Sequence, residues 1–115
     1  IAPYQPPVGA KVRKGRRGEV GRLVVIEPKD RRGAAFPLGH EITMGRAAGC
    51  VVQITDDTYI SSLHARVFHD VDGRVQVEDL GSTNGTYLNG DRLARPQNLR
   101  PGDRIQLGGT ILEAQ

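Results

Sequence analysis

The apolar residues of this chain gather in short β-type runs separated by turn signals, and nothing recurs at helical spacing over the length of an element. Leu23-Val24-Val25-Ile26 is a compact run stopped at Pro28, and Lys29 to Gly33 reads as a charged turn. Phe36-Pro37-Leu38, Glu41-Ile42-Thr43-Met44, Val51-Val52-Gln53-Ile54 and Ala65-Arg66-Val67-Phe68 follow. Asp72-Gly73 is a strong hairpin turn into Arg74 to Glu78, where Val75 and Val77 alternate with polar neighbours at period two. Gly108-Gly109 joins Arg104-Ile105-Gln106-Leu107 to Thr110-Ile111-Leu112 in the same way. Many short strands with closely spaced turns predict an all-β domain, an antiparallel sandwich or barrel.

Residues 1 to 22 depart from this pattern. They hold Lys11, Arg13, Lys14, Arg16, Arg17 and Arg22 against Glu19 alone, a net +5, so residues 23 to 115 carry −2 of the chain's +3. With Pro3, Pro6, Pro7 and four glycines, this stretch predicts a flexible basic arm or linker, and the folded domain is expected over 23–115. Such an arm suits an anionic surface, either nucleic acid or lipid headgroups, although a basic stretch of this kind is more commonly a solvated linker. It contains no Ser or Thr. A length of 115 residues fits one domain, and 37% hydrophobic content supports a modest core without Trp. The chain opens on Ile1 rather than Met, which marks it as a fragment, and a basic run after a missing segment suits a membrane tether. No apolar run approaches the length of a membrane span. One cysteine, Cys50, precludes an internal disulfide, fits a reducing, cytoplasmic compartment and reads as a small structural side chain.

Candidate chemistry concentrates in three predicted loops. Leu80-Gly81-Ser82-Thr83-Asn84-Gly85-Thr86-Tyr87-Leu88-Asn89-Gly90 carries two Asn-Gly turns, and Ser82, Thr83 and Asn84 crowd three hydrogen-bonding side chains against the first. Such a cluster can ligate an oxyanion. Gly45-Arg46 follows the strand ending at Met44, and Ser61-Ser62-Leu63-His64 precedes the strand at Ala65. Other chemistries lack support. There is no Gly-x-Ser-x-Gly nucleophile elbow and no Gly-x4-Gly-Lys phosphate loop. His40, His64, His69 and Cys50 lack metal-ligand spacing, so neither a metal nor a cofactor is expected.

In order and spacing, Gly45-Arg46, Ser61-x-x-His64-Ala65, Leu80-x-Ser82-x-Asn84-Gly85-Thr86, Asn89-Gly90 and Leu99-x-x-Gly102-Asp103-x-Ile105-x-Leu107-Gly108 resemble the forkhead-associated (FHA) domain family over roughly Leu23 to Leu112. The resemblance implies a sandwich of about eleven strands whose loops at one end bind phosphothreonine in an extended peptide, without catalysis. By it, Arg46 contacts the phosphate, Ser61 donates its hydroxyl, and Thr83 and Asn84 hold the phosphate region and the peptide backbone, with Ser62 and Ser82 beside them. Gly45, His64, Gly85 and Asn89 brace the loops. Where the family often places a basic or amide side chain, this sequence has Ser62, which shifts weight onto Arg46. Tyr59 is a candidate for sequence selectivity or, equally, a partly buried structural residue. The implied partner is a phosphothreonine-containing protein, a serine/threonine kinase or its substrate, and no nucleic acid is expected. The competing class is an anionic-surface binder in which the arm makes contact and the β-domain is a scaffold.

Overall fold

The computed structural model describes residues 18–115. Eleven strands follow one another: β1 (Arg22–Glu27), β2 (Ala35–Pro37), β3 (Glu41–Gly45), β4 (Val52–Gln53), β5 (Ala65–His69), β6 (Val75–Asp79), β7 (Tyr87–Leu88), β8 (Asp91–Arg92), β9 (Gln97–Asn98), β10 (Arg104–Leu107) and β11 (Thr110–Ala114). They form a six-stranded sheet, β2-β1-β11-β10-β7-β8, and a five-stranded sheet, β4-β3-β5-β6-β9. The expected all-β sandwich is present, with one departure: β4 runs parallel to β3, while every other pairing is antiparallel.

Period-two burial explains why the two sheets face each other. Leu23 and Val25 of β1, Ile42 and Met44 of β3, Val67 of β5, Val75 and Val77 of β6, Ile105 and Leu107 of β10, and Leu112 and Ala114 of β11 all point into one core. Each large aliphatic side chain so placed contributes about 1.5–3 kcal/mol. The outward positions are mixed, with Glu41, Thr43, Arg66 and Glu78 polar and Val24, Phe68 and Ile111 apolar but only half-buried. Arg66 on β5 bridges Glu78 of β6 at 2.8 Å and Glu41 of β3 at 3.1 Å, and its guanidinium lies 3.9 Å from the Phe68 ring centroid. Arg66 is therefore a cross-strand clamp on the outer face of this sheet.

Two boundaries move relative to the sequence pattern. The Lys29 to Gly33 turn contains a single 3-10 turn, Lys29–Arg31. The folded unit also starts before Leu23: Val20 is buried, and the Gly21 and Arg22 amides both donate to the Gln115 carbonyl. The remainder of the basic arm lies outside the described residues. Among the described residues, no helix is long and apolar enough to cross a membrane.

Strand direction gathers the loops at one end. β3 and β6 run towards that end, and β5 and β7 leave it, so the β3–β4, β4–β5 and β6–β7 connections meet there. These are the three segments singled out by their residue types.

Candidate functional site

Gly45 closes β3 where the β4–β5 loop crosses it. A Cβ there would collide with the Ser62 carbonyl and come within 3.0 Å of the Ser61 carbonyl, so only glycine permits the approach. The crossing is sealed by backbone bonds from Arg46 N–H to Ser61 O at 3.1 Å and from Ala47 N–H to Ser62 O at 3.0 Å. Cys50 adds to it, its buried thiol 3.5 Å from the same Ser62 oxygen. Burial pushes that thiol's pKa up, against the opposing bonds to Ala47 and Thr43, so the thiolate is disfavoured.

His64 is the internal post of the site. It is fully buried; Nδ1 accepts from the Ser61 amide at 3.0 Å and Nε2 lies 2.8 Å from the Gly85 carbonyl, which assigns the ring proton to Nε2. One imidazole thus joins the β4–β5 loop to the β6–β7 loop. Two further bonds cross the same gap, from Thr83 N–H to Ser61 Oγ at 3.2 Å and from Asn84 Nδ2 to the Tyr59 carbonyl at 2.9 Å. Because Ser61 Oγ accepts from Thr83, its own proton is directed elsewhere and is available to a ligand.

Asp79 organises the β6–β7 loop from below. Its carboxylate accepts from the Gly81 and Ser82 amides at 3.1 and 3.0 Å, from the Ser82 hydroxyl, and from the buried Thr86 hydroxyl at 2.7 Å. Burial is the largest single influence on this group and disfavours its charge. The Ser82 and Thr86 hydroxyl hydrogen bonds and the Ser82 amide together outweigh it, holding the carboxyl below its ordinary pKa. Asp57 does similar work in the neighbouring loop, accepting from Tyr59 N–H at 2.9 Å and from Gly109 N–H at 2.7 Å. Neither aspartate was singled out by sequence, although each stands two residues before the amide it caps, the spacing of an Asx turn.

The predicted site residues divide accordingly. Arg46, Ser62, Thr83 and Asn84 are exposed on the rim of the three loops, Ser61 is half-buried among them, and Gly45, His64 and Gly85 lie buried beneath. Arg46 is exposed and takes no part in the ion pairs among the described residues. Ser82 belongs with the braces: its hydroxyl donates to Asp79 and accepts from Gly85 N–H at 2.9 Å, which leaves it no proton for a ligand. Asn89 braces the other end of β7, donating to Asp103 at 3.0 Å and accepting from Arg104 N–H at 2.9 Å, away from the three loops. Tyr59 is 67% exposed, so the partly buried alternative does not apply, and its backbone carbonyl is what ties the loops. Arg46, Ser61 and the polar rim of Thr83 and Asn84 together offer a forked cation, a hydroxyl donor and short polar groups on one face. This set matches a dianionic group with three acceptor oxygens.

Residues 42–108 match the FHA domain family. The chain is 32% identical to the FHA domain-containing protein FhaB of Mycolicibacterium smegmatis, over 96% of this chain and 77% of that relative. The solution structure of the FHA domain of an Arabidopsis thaliana hypothetical protein superposes with a TM-score of 0.74 at 34% identity, covering 93% of each chain. An FHA domain solved in a structural and functional study of phosphothreonine-dependent FHA domain interactions superposes with a TM-score of 0.70 at 25% identity, over 82% of this chain and 93% of its own. The chain belongs to the FHA domain family.

Proposed function

We propose that this domain is a non-enzymatic interaction module that binds partner proteins through phosphothreonine, in serine/threonine kinase signalling in the cytoplasm. The observation that carries this reading is the convergence of Arg46, Ser61, Thr83 and Asn84 on the rim of three loops tied to one another by hydrogen bonds. Arg46 is free of internal carboxylates among the described residues and supplies charge. Ser61 has a proton to donate, and Asn84 keeps its side-chain oxygen for a peptide amide while its nitrogen holds Tyr59. Hydrogen bonds to a charged group contribute about 1.5–3 kcal/mol each. Three or four of them give about 4.5–12 kcal/mol, and the upper end of that range, less about 4 kcal/mol for association, reaches micromolar binding, roughly −8 kcal/mol.

FHA domains solved with phosphopeptides supply the parallel for the ligand. The partner is proposed to be a kinase or a kinase substrate. A panel of fluorescent peptides carrying phosphothreonine, phosphoserine or unmodified threonine, titrated against the whole chain, tests the reading. Micromolar binding confined to the phosphorylated peptides is the expected result. Equal binding of the unmodified peptide would remove the basis for it.

A further inference from the structure

Arg92 lies on β8, outside the three loops, yet its guanidinium rests on one of them. β8 pairs antiparallel with β7 so that Arg92 stands opposite Tyr87, and from there its side chain reaches back to Gly85. A Cβ on Gly85 would meet Nε of Arg92 at 2.7 Å, Cζ at 3.0 Å and Nη2 at 3.3 Å. Gly85 holds φ +87°, which is what requires glycine here, and the flexible end of Arg92 packs against its open face. Gly85 directly follows Asn84, which places the guanidinium one residue from the amide on the rim.

Among the described residues, four of the eleven lysines and arginines are matched in ion pairs. Arg31 pairs with Asp56, Arg32 with Glu27, Arg66 with Glu41 and Glu78, and Arg104 with Glu113. Arg92 is exposed and enters no ion pair among the described residues. The carboxylates closest to the loops are committed elsewhere, Asp57 to the Tyr59 and Gly109 amides and Asp79 to Ser82 and Thr86. Ser62 brings no charge to the opposite wall. The site therefore has Arg46 on one side and a second, uncompensated cation on the Asn84 side.

We infer that Arg92 is a specificity-determining residue, selecting phosphothreonine peptides that carry an acidic residue on the Asn84 side of the phosphate. This rests on the phosphothreonine reading above. An exposed guanidinium–carboxylate pair discriminates by about two- to fivefold. Rising ionic strength screens that preference.

The test uses the whole chain and peptides with one phosphothreonine, in which Asp replaces Ala in turn at each of four positions on either side. Wild type is expected to favour Asp about two- to fivefold at one or two adjacent positions. Arg92→Gln should abolish that preference while binding the all-Ala phosphopeptide nearly as well, and Arg92→Lys should retain part of it. Arg92→Glu should favour Lys at the same positions, a readout that loss of packing on Gly85 does not produce. A flat Asp scan in wild type overturns the proposal even if a variant folds poorly, as does an undiminished preference in Arg92→Gln. Loss of phosphate dependence in wild type would instead sink the underlying reading.

Discussion

At the two ends of β7 the chain repeats the dipeptide Asn-Gly, and the bonds around each pair differ. Asn89 and Gly90 both hold positive φ, +50° and +89°, and form the two-residue turn that reverses β7 into β8. Every polar atom of the Asn89 side chain is used internally, the amide nitrogen on Asp103 and the oxygen on Arg104. At Asn84-Gly85 only the glycine is left-handed, at +87°, and Asn84 is exposed with its nitrogen on Tyr59. The first pair closes a hairpin, whereas the second supports an open rim. The same local chemistry is thus fully consumed by the fold at Asn89 and left partly open at Asn84.

The contrast can be broken most severely at the post beneath the rim. His64→Ala removes a buried ring and strands the Ser61 amide and the Gly85 carbonyl, so a loss of about 3–5 kcal/mol in urea denaturation, with loss of peptide binding, is expected. The Asn pair should then separate the two roles. Asn84→Ala is expected to weaken phosphopeptide binding about three- to tenfold, about 0.5–1.5 kcal/mol, with a stability loss of no more than about 1 kcal/mol from the exposed Tyr59 bond. Asn89→Ala should do the reverse, costing about 1–2 kcal/mol of stability through lost bonds and a strained left-handed alanine, with affinity unchanged within about twofold.

A smaller effect is expected from acid. The Asp79 carboxyl titrates below its ordinary value in the folded protein, so its contribution is complete above the unfolded value, about pH 4, and is lost as pH falls through the folded value. Stability of wild type should therefore decline below about pH 4 more steeply than that of Asp79→Asn, as followed by denaturation at stepped pH. The smallest effect belongs to the far face of the five-stranded sheet. Arg66→Gln should cost no more than about 1 kcal/mol, because its ion pairs are partly exposed, and leave binding intact.

Much of this was legible in the residues. Period-two runs and the Asp72-Gly73 and Gly108-Gly109 turns located most of the longer strands, because half-buried strands and tight turns impose local rules. Ser82, Thr83 and Asn84 stood out as polar residues crowded against an Asn-Gly turn, whereas Arg46 and Ser61 took their roles from the resemblance of Gly45-Arg46 and Ser61-x-x-His64 to the FHA family. What escaped depended on register and on neighbours distant in sequence. Strands β7, β8 and β9 are two residues each and too short to show a period. β4 shrank to Val52–Gln53 because only those residues reach β3, in parallel register. Ser82 looked like a ligand-binding hydroxyl until Asp79 was found beneath it. Arg92 acquires meaning only once β8 lies on β7 and its side chain covers Gly85.

The most direct test of the central claim is a titration of one phosphothreonine peptide and its unphosphorylated twin against wild type and Arg46→Ala. Wild type should bind the phosphopeptide at micromolar concentration and the twin at least a hundredfold more weakly, since the lost bonds to charge amount to about 3 kcal/mol or more. Arg46→Ala should lose most of that difference while melting at the wild-type temperature. Equal affinity of wild type and Arg46→Ala for the phosphopeptide would contradict the account.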